Sequence, residues 1–243
     1  MKGFDEQAAV YDSAAHVQAD VARRLAARLE GCPQRILEIG CGTGLLSELL
    51  AERFPQAALV LTDISPQMLA QAELRLGPKA MYHVMDGQWP DASLGTFDLI
   101  VSSLAFQWFD DLGGALARLG GMLAPCGVLA FATLGSKSFA DWRQAHEEMG
   151  LHCGLRDYAA SDSFPWPVGY GCRFEAEFIE ERHTDARGFI RGMKELGAAI
   201  SPPAHRPLGP GRFRALLARF SAGFTARYEV IYAEMRRGRS RVP

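Results

Sequence analysis

The turn Leu37-Glu38-Ile39-Gly40-Cys41-Gly42-Thr43-Gly44 holds the densest chemistry in the sequence. Glycines at 40, 42 and 44 permit a tight turn whose backbone N–H groups approach a ligand closely. The spacing is G-x-G-x-G with leucine at 45, where a dinucleotide fingerprint wants glycine or alanine. The Gly-Lys-Ser/Thr ending of a phosphate loop is missing too. Glu38, just before the turn, can bond a cationic ligand or brace the loop. Asp63 lies 23 residues beyond Gly40 at the end of the next apolar run, where a carboxylate takes both hydroxyls of a ribose. Asp86, in Met85-Asp86-Gly87, ends a third run, where a carboxylate meets an adenine amino group. A nucleoside-bearing ligand suits this trio.

Those carboxylates need a scaffold that brings strand ends side by side. Arg35–Ile39, Ala58–Thr62, Met81–Met85, Phe97–Ser102 and Val128–Thr133 read as strands; Leu45–Arg53, Pro66–Leu76 and Gly113–Leu123 read as helices between them. Ser65-Pro66 supplies a cap and an N1 proline, and Pro125-Cys126-Gly127 is expected to break the chain before a strand. Alternation of short strands and helices argues for an α/β fold, a doubly wound and mostly parallel sheet covered on both faces. Ligands of such sheets bind at the carboxyl ends of the strands. Outside this core, Val17–Glu30 is expected as a helix with Val17, Val21, Leu25 and Leu29 on one face. Phe139–Met149, Ala186–Leu196 and Gly211–Phe224 are further helices, and Phe174–Glu180 and Tyr228–Met235 are late strands able to pair.

The 243 residues, 48% hydrophobic and 22% charged, fit one globular α/β domain and exclude a disordered chain. No apolar run approaches the ~18 residues of a spanning helix. The acidic start of the chain lacks a signal peptide's apolar stretch, and five cysteines without a C-x-x-C pair suggest a reducing cytoplasm rather than a disulfide framework or a metal site. The net charge of −2 is a cancellation: residues 1–180 hold 13 Lys/Arg against 23 Asp/Glu, and residues 181–243 hold 13 against 5. Such asymmetry suits a surface for a charged partner. Nucleic acid is not expected, because the acidic first 180 residues repel phosphates.

Glu38 to Gly44, Thr62-Asp63-Ile64-Ser65-Pro66-x-Met68-Leu69, Phe97-Asp98-Leu99-Ile100 and Leu123-x-Pro125-x-Gly127 resemble class I methyltransferases that use S-adenosylmethionine. The resemblance implies a Rossmann-like, seven-stranded sheet with a helical lid. It also implies cofactor contacts from Glu38, Gly40, Cys41, Gly42, Gly44, Asp63, Ile64, Met68, Asp86, Gly87 and Ser102, with Tyr11 closing over the cofactor. Gln107-Trp108, Thr133–Ser136, Met193–Ala198 and the N-terminal Phe4-Asp5…Tyr11-Asp12…Gln18 are similar to the malonyl-acyl-carrier-protein O-methyltransferases of biotin synthesis. Residues 151–173 match that family poorly. On this basis the chain is a single methyltransferase domain, with an N-terminal cover (1–34), a cofactor core (35–134), late strands with a helical lid (135–235) and a basic tail (236–243).

The resemblance implies methyl transfer to the free carboxylate of a malonyl thioester. A carboxylic acid is already ionised at neutral pH, so no residue is expected as a catalytic base. His83, His146, His152, His183 and His205 are scattered without triad partners. Candidates for the acceptor's carboxylate and the pocket around it are Lys194, Arg191, Arg143, Gln107, Trp108 and Phe106. The basic segment is expected to attract an acidic, malonyl-loaded acyl carrier protein. Two other readings stay open: a small-molecule methyltransferase acting on a quinone precursor or another carboxylic acid, and a non-catalytic assembly factor that keeps the cofactor site.

Overall fold

A computed structural model describes residues 11–196 and 206–237. The Phe4-Asp5 pattern, Gly197-Ala198, His205 and the tail from Gly238 lie outside the described residues. The strands are β1 (Arg35–Ile39), β2 (Ala58–Asp63), β3 (Ala80–Val84), β4 (Phe97–Ser103), β5 (Leu123–Leu134), β6 (Tyr170–His183) and β7 (Phe224–Arg237). They form one seven-stranded sheet in the order β3-β2-β1-β4-β5-β7-β6. β1 to β5 run parallel, whereas β7 is antiparallel to both β5 and β6.

The helices are α1 (Tyr11–Ala14), α2 (His16–Arg28), α3 (Leu45–Arg53), α4 (Pro66–Leu76), α5 (Leu112–Gly121), α6 (Ala140–Glu148), α7 (Ala186–Glu195) and α8 (Pro210–Ala218). Alternate residues along each strand point to opposite faces. Ile36, Leu59 and Leu61 therefore join Val17, Val21, Leu25 and Leu29 in one core, whereas Leu37, Ile39 and Val60 join α5 in the other. Side-chain caps fix several helix starts: Ser65 Oγ accepts from Met68 N, Asp111 from Gly114 N and Asp185 from Gly188 N.

Beyond shifts of one to four residues at other element ends, three boundaries depart from the expectation. Pro125-Cys126-Gly127 does not break the chain before β5; it is an irregularity inside it, with Cys126 at φ +68° and the pairing with β4 slipping between Phe97 and Leu99. The helix expected over Gly211–Phe224 ends at Ala218, since Phe224 is buried and pairs with His183 in the sheet. Arg236 and Arg237, expected in the tail, complete the β6–β7 ladder.

Candidate active site

The turn after β1 is built on left-handed backbone, with φ of +68° at Gly40, +55° at Gly42 and +90° at Gly44. A side chain at Gly40 meets Ala105 Cβ at 2.4 Å, so glycine lets this turn lie against the segment that follows β4. Gly42 faces open space instead. Asp63 braces the turn from the end of β2: its Oδ2 accepts from Gly42 N at 2.9 Å and its Oδ1 from Ser65 N at 2.8 Å. Glu38 is 1% exposed and accepts from Ser47 Oγ at 2.6 Å. Burial, with Asp63 adding its negative charge against the Ser47 hydrogen bond, pushes the Glu38 carboxyl up to about 8. The Cys41 thiol rises for the same reasons, burial first and then Glu38 and Asp63.

These groups open onto a cleft at the carboxyl edge of the sheet, with an empty volume of about 960 Å³ including its open mouth. Glu38, Gly40, Cys41, Gly42, Asp63, Ile64, Met68, Asp86, Gly87 and Tyr11 all line it. Two of the expected cofactor residues do not. Gly44 turns toward α4, where an added Cβ lies 3.1 Å from Leu76 and 3.3 Å from Ala72. Ser102 is fully buried and donates to the Ile39 carbonyl at 2.8 Å, tying β4 to β1. Asp86 Oδ1 accepts from Gln88 N at 2.9 Å, which fixes the turn after β3.

Of the acceptor candidates, Trp108 lines the cleft. Phe106 lies behind it in the core, 5.0 Å from the Phe109 ring and 4.9 Å from that of Phe131. The Gln107 amide donates to the Leu104 carbonyl at 2.6 Å and accepts from Thr133 Oγ1 at 3.3 Å. This anchors Leu104, which lines the cleft at φ +52°, a backbone region that side chains seldom enter. Arg143 holds the loop after α6: it donates to the carbonyls of Ser138 and Arg156 and pairs with Asp157. Arg191 and Lys194 stand on the exposed face of α7 with Arg187, whereas Ala186 and Phe189 are buried.

Asp12, Gln18, Arg75 and Arg156, to which sequence assigns no role at the site, also reach it, and Tyr11 lies where expected. Asp12 accepts from Thr43 Oγ1 at 2.6 Å and pairs with Arg75, whose Nε donates to the Thr43 carbonyl; together they fasten α1 to the glycine turn. Tyr11 is held over the cleft next to this clasp, and burial with Asp63 and Asp12 nearby raises its phenol. Gln18 lines the cleft from α2, and its Oε1 is buried with no hydrogen-bond partner among the described residues. Arg156 pairs with Asp110 at 2.6 Å and lies 6.0 Å from the centre of the Trp108 ring. No motif signalled Arg156, because it sits in the stretch with the weakest resemblance.

The cleft wall carries three carboxylates, Glu38, Asp63 and Asp86, and among the described residues no lysine, arginine or histidine. A cationic ligand fits such a wall and an anionic one does not. S-adenosylmethionine, with a sulfonium and an ammonium group, matches in sign, and its ribose diol and adenine amino group match the carboxylates as donors.

Comparison with known proteins agrees. A family described as "Methyltransferase domain" matches residues 37–129. The malonyl-[acyl-carrier protein] O-methyltransferase of Magnetococcus marinus is 40% identical over 91% of this chain and 86% of its own length. The chain belongs to this family. The biotin biosynthesis bifunctional protein BioCD of Bordetella avium is also 40% identical, over 98% of this chain; the chain spans 52% of that protein's length. Among solved structures, the N-methyltransferase NodS of Bradyrhizobium japonicum, in complex with S-adenosyl-L-homocysteine, has a TM-score of 0.52 at 17% identity, covering 93% of this chain and 88% of its own. The [4+2]-cyclase SpnF has a TM-score of 0.54 at 16% identity, over 90% of this chain and 81% of its own. Likeness at this level shows a shared fold and leaves the reaction to the site.

Proposed function

We propose that this protein transfers the methyl group of S-adenosylmethionine to the free carboxylate of a malonyl thioester, carried on an acyl carrier protein or coenzyme A, in an early step of biotin synthesis. The observation that carries the reading is an acidic cleft with no basic side chain among its described residues, in a member of this O-methyltransferase family. When bound, S-adenosylmethionine supplies an electrophilic methyl group on a cationic sulfur. Asp63, held by the N–H groups of Gly42 and Ser65 at the end of β2, receives the ribose hydroxyls. Asp86 and Gly87 flank the adenine. Glu38, Gly40, Cys41 and Gly42 surround the amino-acid end, Ile64 and Met68 supply apolar contact, and Tyr11 closes over the cofactor. Gly44 and Ser102 act behind the wall, one seating the turn on α4 and the other fixing β4 against β1.

A malonyl carboxylic acid has a pKa of ~4, so the nucleophile is ionised and needs no base. A phenol or amine acceptor does need one. Among the described residues no histidine or lysine lines the cleft to serve as one, which favours the carboxylate reading. The chain's task is then alignment and exclusion of water. Leu104, Ala105, Trp108 and Phe109 give the cleft an apolar wall, Phe106 supports it from behind, and Gln107 holds its backbone. Arg143 fixes the loop that carries Arg156, and Arg156 stands beside Trp108 at the acceptor side.

The carrier protein docks on the basic lid. Arg187, Arg191 and Lys194 share the exposed face of α7, and none of them forms an ion pair with a described residue. Arg182, Arg206, Arg212 and Arg214 are exposed in the same half of the chain, whereas Arg219 and Arg227 are engaged by Glu148 and Glu180. In this reading residues 1–34 cover the cofactor, 35–134 form its core and 135–235 supply the late strands and lid of one cytoplasmic domain. No described helix is long and apolar enough to cross a membrane. The test is incubation of the purified chain with malonyl carrier protein and methyl-labelled S-adenosylmethionine. A base-labile labelled ester is expected, and absence of label on any malonyl thioester overturns the proposal.

A further inference from the structure

The buried amide oxygen of Gln18 has no partner among the described residues, in a wall where every carboxylate has one. An unpaired acceptor of this kind is costly to bury, and its place in the cleft lining points to a ligand that donates to it. We infer that Gln18 is a cofactor-binding residue whose Oε1 accepts a hydrogen bond from the ammonium group at the amino-acid end of S-adenosylmethionine. The inference rests on the cofactor proposed above.

The order of the strands selects the ammonium among the cofactor's donors. Those donors are the adenine amino group, the two ribose hydroxyls and the ammonium. Adenine goes to Asp86 after β3, at one end of the sheet, and the ribose to Asp63 at the end of β2. The remaining end of the cofactor then runs away from β3, toward β1 and β4. Gln18 belongs to that side: its helix, α2, packs on α3, β4 and β5, with no comparable contact to β3. Ala22, one turn further along α2, lines the cleft on the same helix face, opposite Leu45 and Leu46 at the start of α3. Charge points the same way, since Glu38 ends β1 beside these residues and the wall offers no competing cation. An amide oxygen there adds an acceptor without a third buried charge next to Glu38 and Asp63.

Calorimetric titration of the whole chain with two probes tests this. S-adenosylhomocysteine carries the ammonium, and 5′-methylthioadenosine keeps the nucleoside but lacks the amino-acid end. Gln18→Leu is expected to weaken S-adenosylhomocysteine about 10- to 100-fold, the span of a lost hydrogen bond to a charged donor, and to leave 5′-methylthioadenosine within about twofold. Gln18→Met, closer in length and flexibility, is expected to show the same selectivity and serves if Gln18→Leu melts early. Equal weakening of both probes overturns the inference, because the residue then acts by packing the cover. No weakening of either also overturns it, because water then satisfies the amide. Wild-type protein that binds neither probe overturns the cofactor reading itself, and this inference with it.

Discussion

The cleft wall and α7 use charge in opposite ways. Among the described residues that line the cleft the charged groups are acidic and fixed in place: Asp63 holds two backbone N–H groups, and Glu38 is buried with Ser47. On α7 three basic groups, Arg187, Arg191 and Lys194, are exposed and three to four residues apart on one face, with no ion pair to a described residue. Buried charge in a fixed geometry discriminates among ligands that enter it, because an unmet group there costs free energy. Exposed charge acts at a distance, is screened by salt and governs encounter more than affinity. Under the proposed function, one protein thus handles a small cation by geometry and a large acidic partner by field.

The strongest way to break this contrast is Asp63→Ala, which strands the N–H groups of Gly42 and Ser65 and removes the ribose acceptor. We expect binding of S-adenosylhomocysteine to weaken by roughly 10²-fold or more, read by calorimetry. Retained affinity would mean that Asp63 serves the turn alone. Gly40→Ala follows. It places a Cβ 2.4 Å from Ala105 in a left-handed residue, and denaturant unfolding should show a loss of about 2–4 kcal/mol.

Glu38 gives a pH test of the buried side. In the folded chain its carboxyl titrates at about 8, against roughly 4.3 for an unstructured glutamate. Between these values the folded state binds more protons than the unfolded one, so Glu38 makes stability fall as pH rises from about 4.5 to 8. Glu38→Gln removes that slope. Relative to wild type, the variant should gain about 3 kcal/mol between pH 5 and pH 8, measured by urea unfolding without ligand. The ammonium group of S-adenosylhomocysteine prefers the ionised carboxylate, so wild-type affinity for it should rise with pH up to about 8, and the variant's should not.

How much of this was legible depends on how local each feature is. β1, α3 and α4 were readable to the residue, because apolar periodicity, a capping serine and an N1 proline all lie within one short segment. The acidic residues at the ends of β1, β2 and β3 were readable for the same reason, each following directly from its strand. The Asp12–Arg75–Thr43 clasp was not, since its members are brought together from 31 and 63 residues apart and Arg75, which joins the other two, belongs to no motif. Gln18 was visible only as part of a pattern; its unmet oxygen is a property of three packed elements. Arg143 had the right charge and the wrong surroundings: the carbonyls that claim it come from a loop that sequence does not place. The end of α8 was lost because Phe220 and Phe224 continue a helical apolar pattern, while Gly223, at φ +128°, turns the chain into β7.

The mildest expected effect lies on the exposed side, and it decides whether field or fit governs the partner. Arg187, Arg191 and Lys194 changed together to glutamate invert the exposed face of α7 while leaving Ala186 and Phe189 in the core. Folding should change little, because no ion pair with a described residue is broken. For malonyl carrier protein the KM should rise about tenfold at low salt, with kcat preserved, as expected when rim charges set encounter. Raising the ionic strength should weaken the wild type toward the variant, since the Debye length falls from about 10 Å at 0.1 M to 3 Å at 1 M. Malonyl-pantetheine, which has neither the carrier's acidic surface nor the phosphates of coenzyme A, is the internal control. If these cations held the malonyl carboxylate itself, both substrates would lose kcat/KM equally and salt would not close the gap; if they only steer the carrier, the loss belongs to the carrier protein.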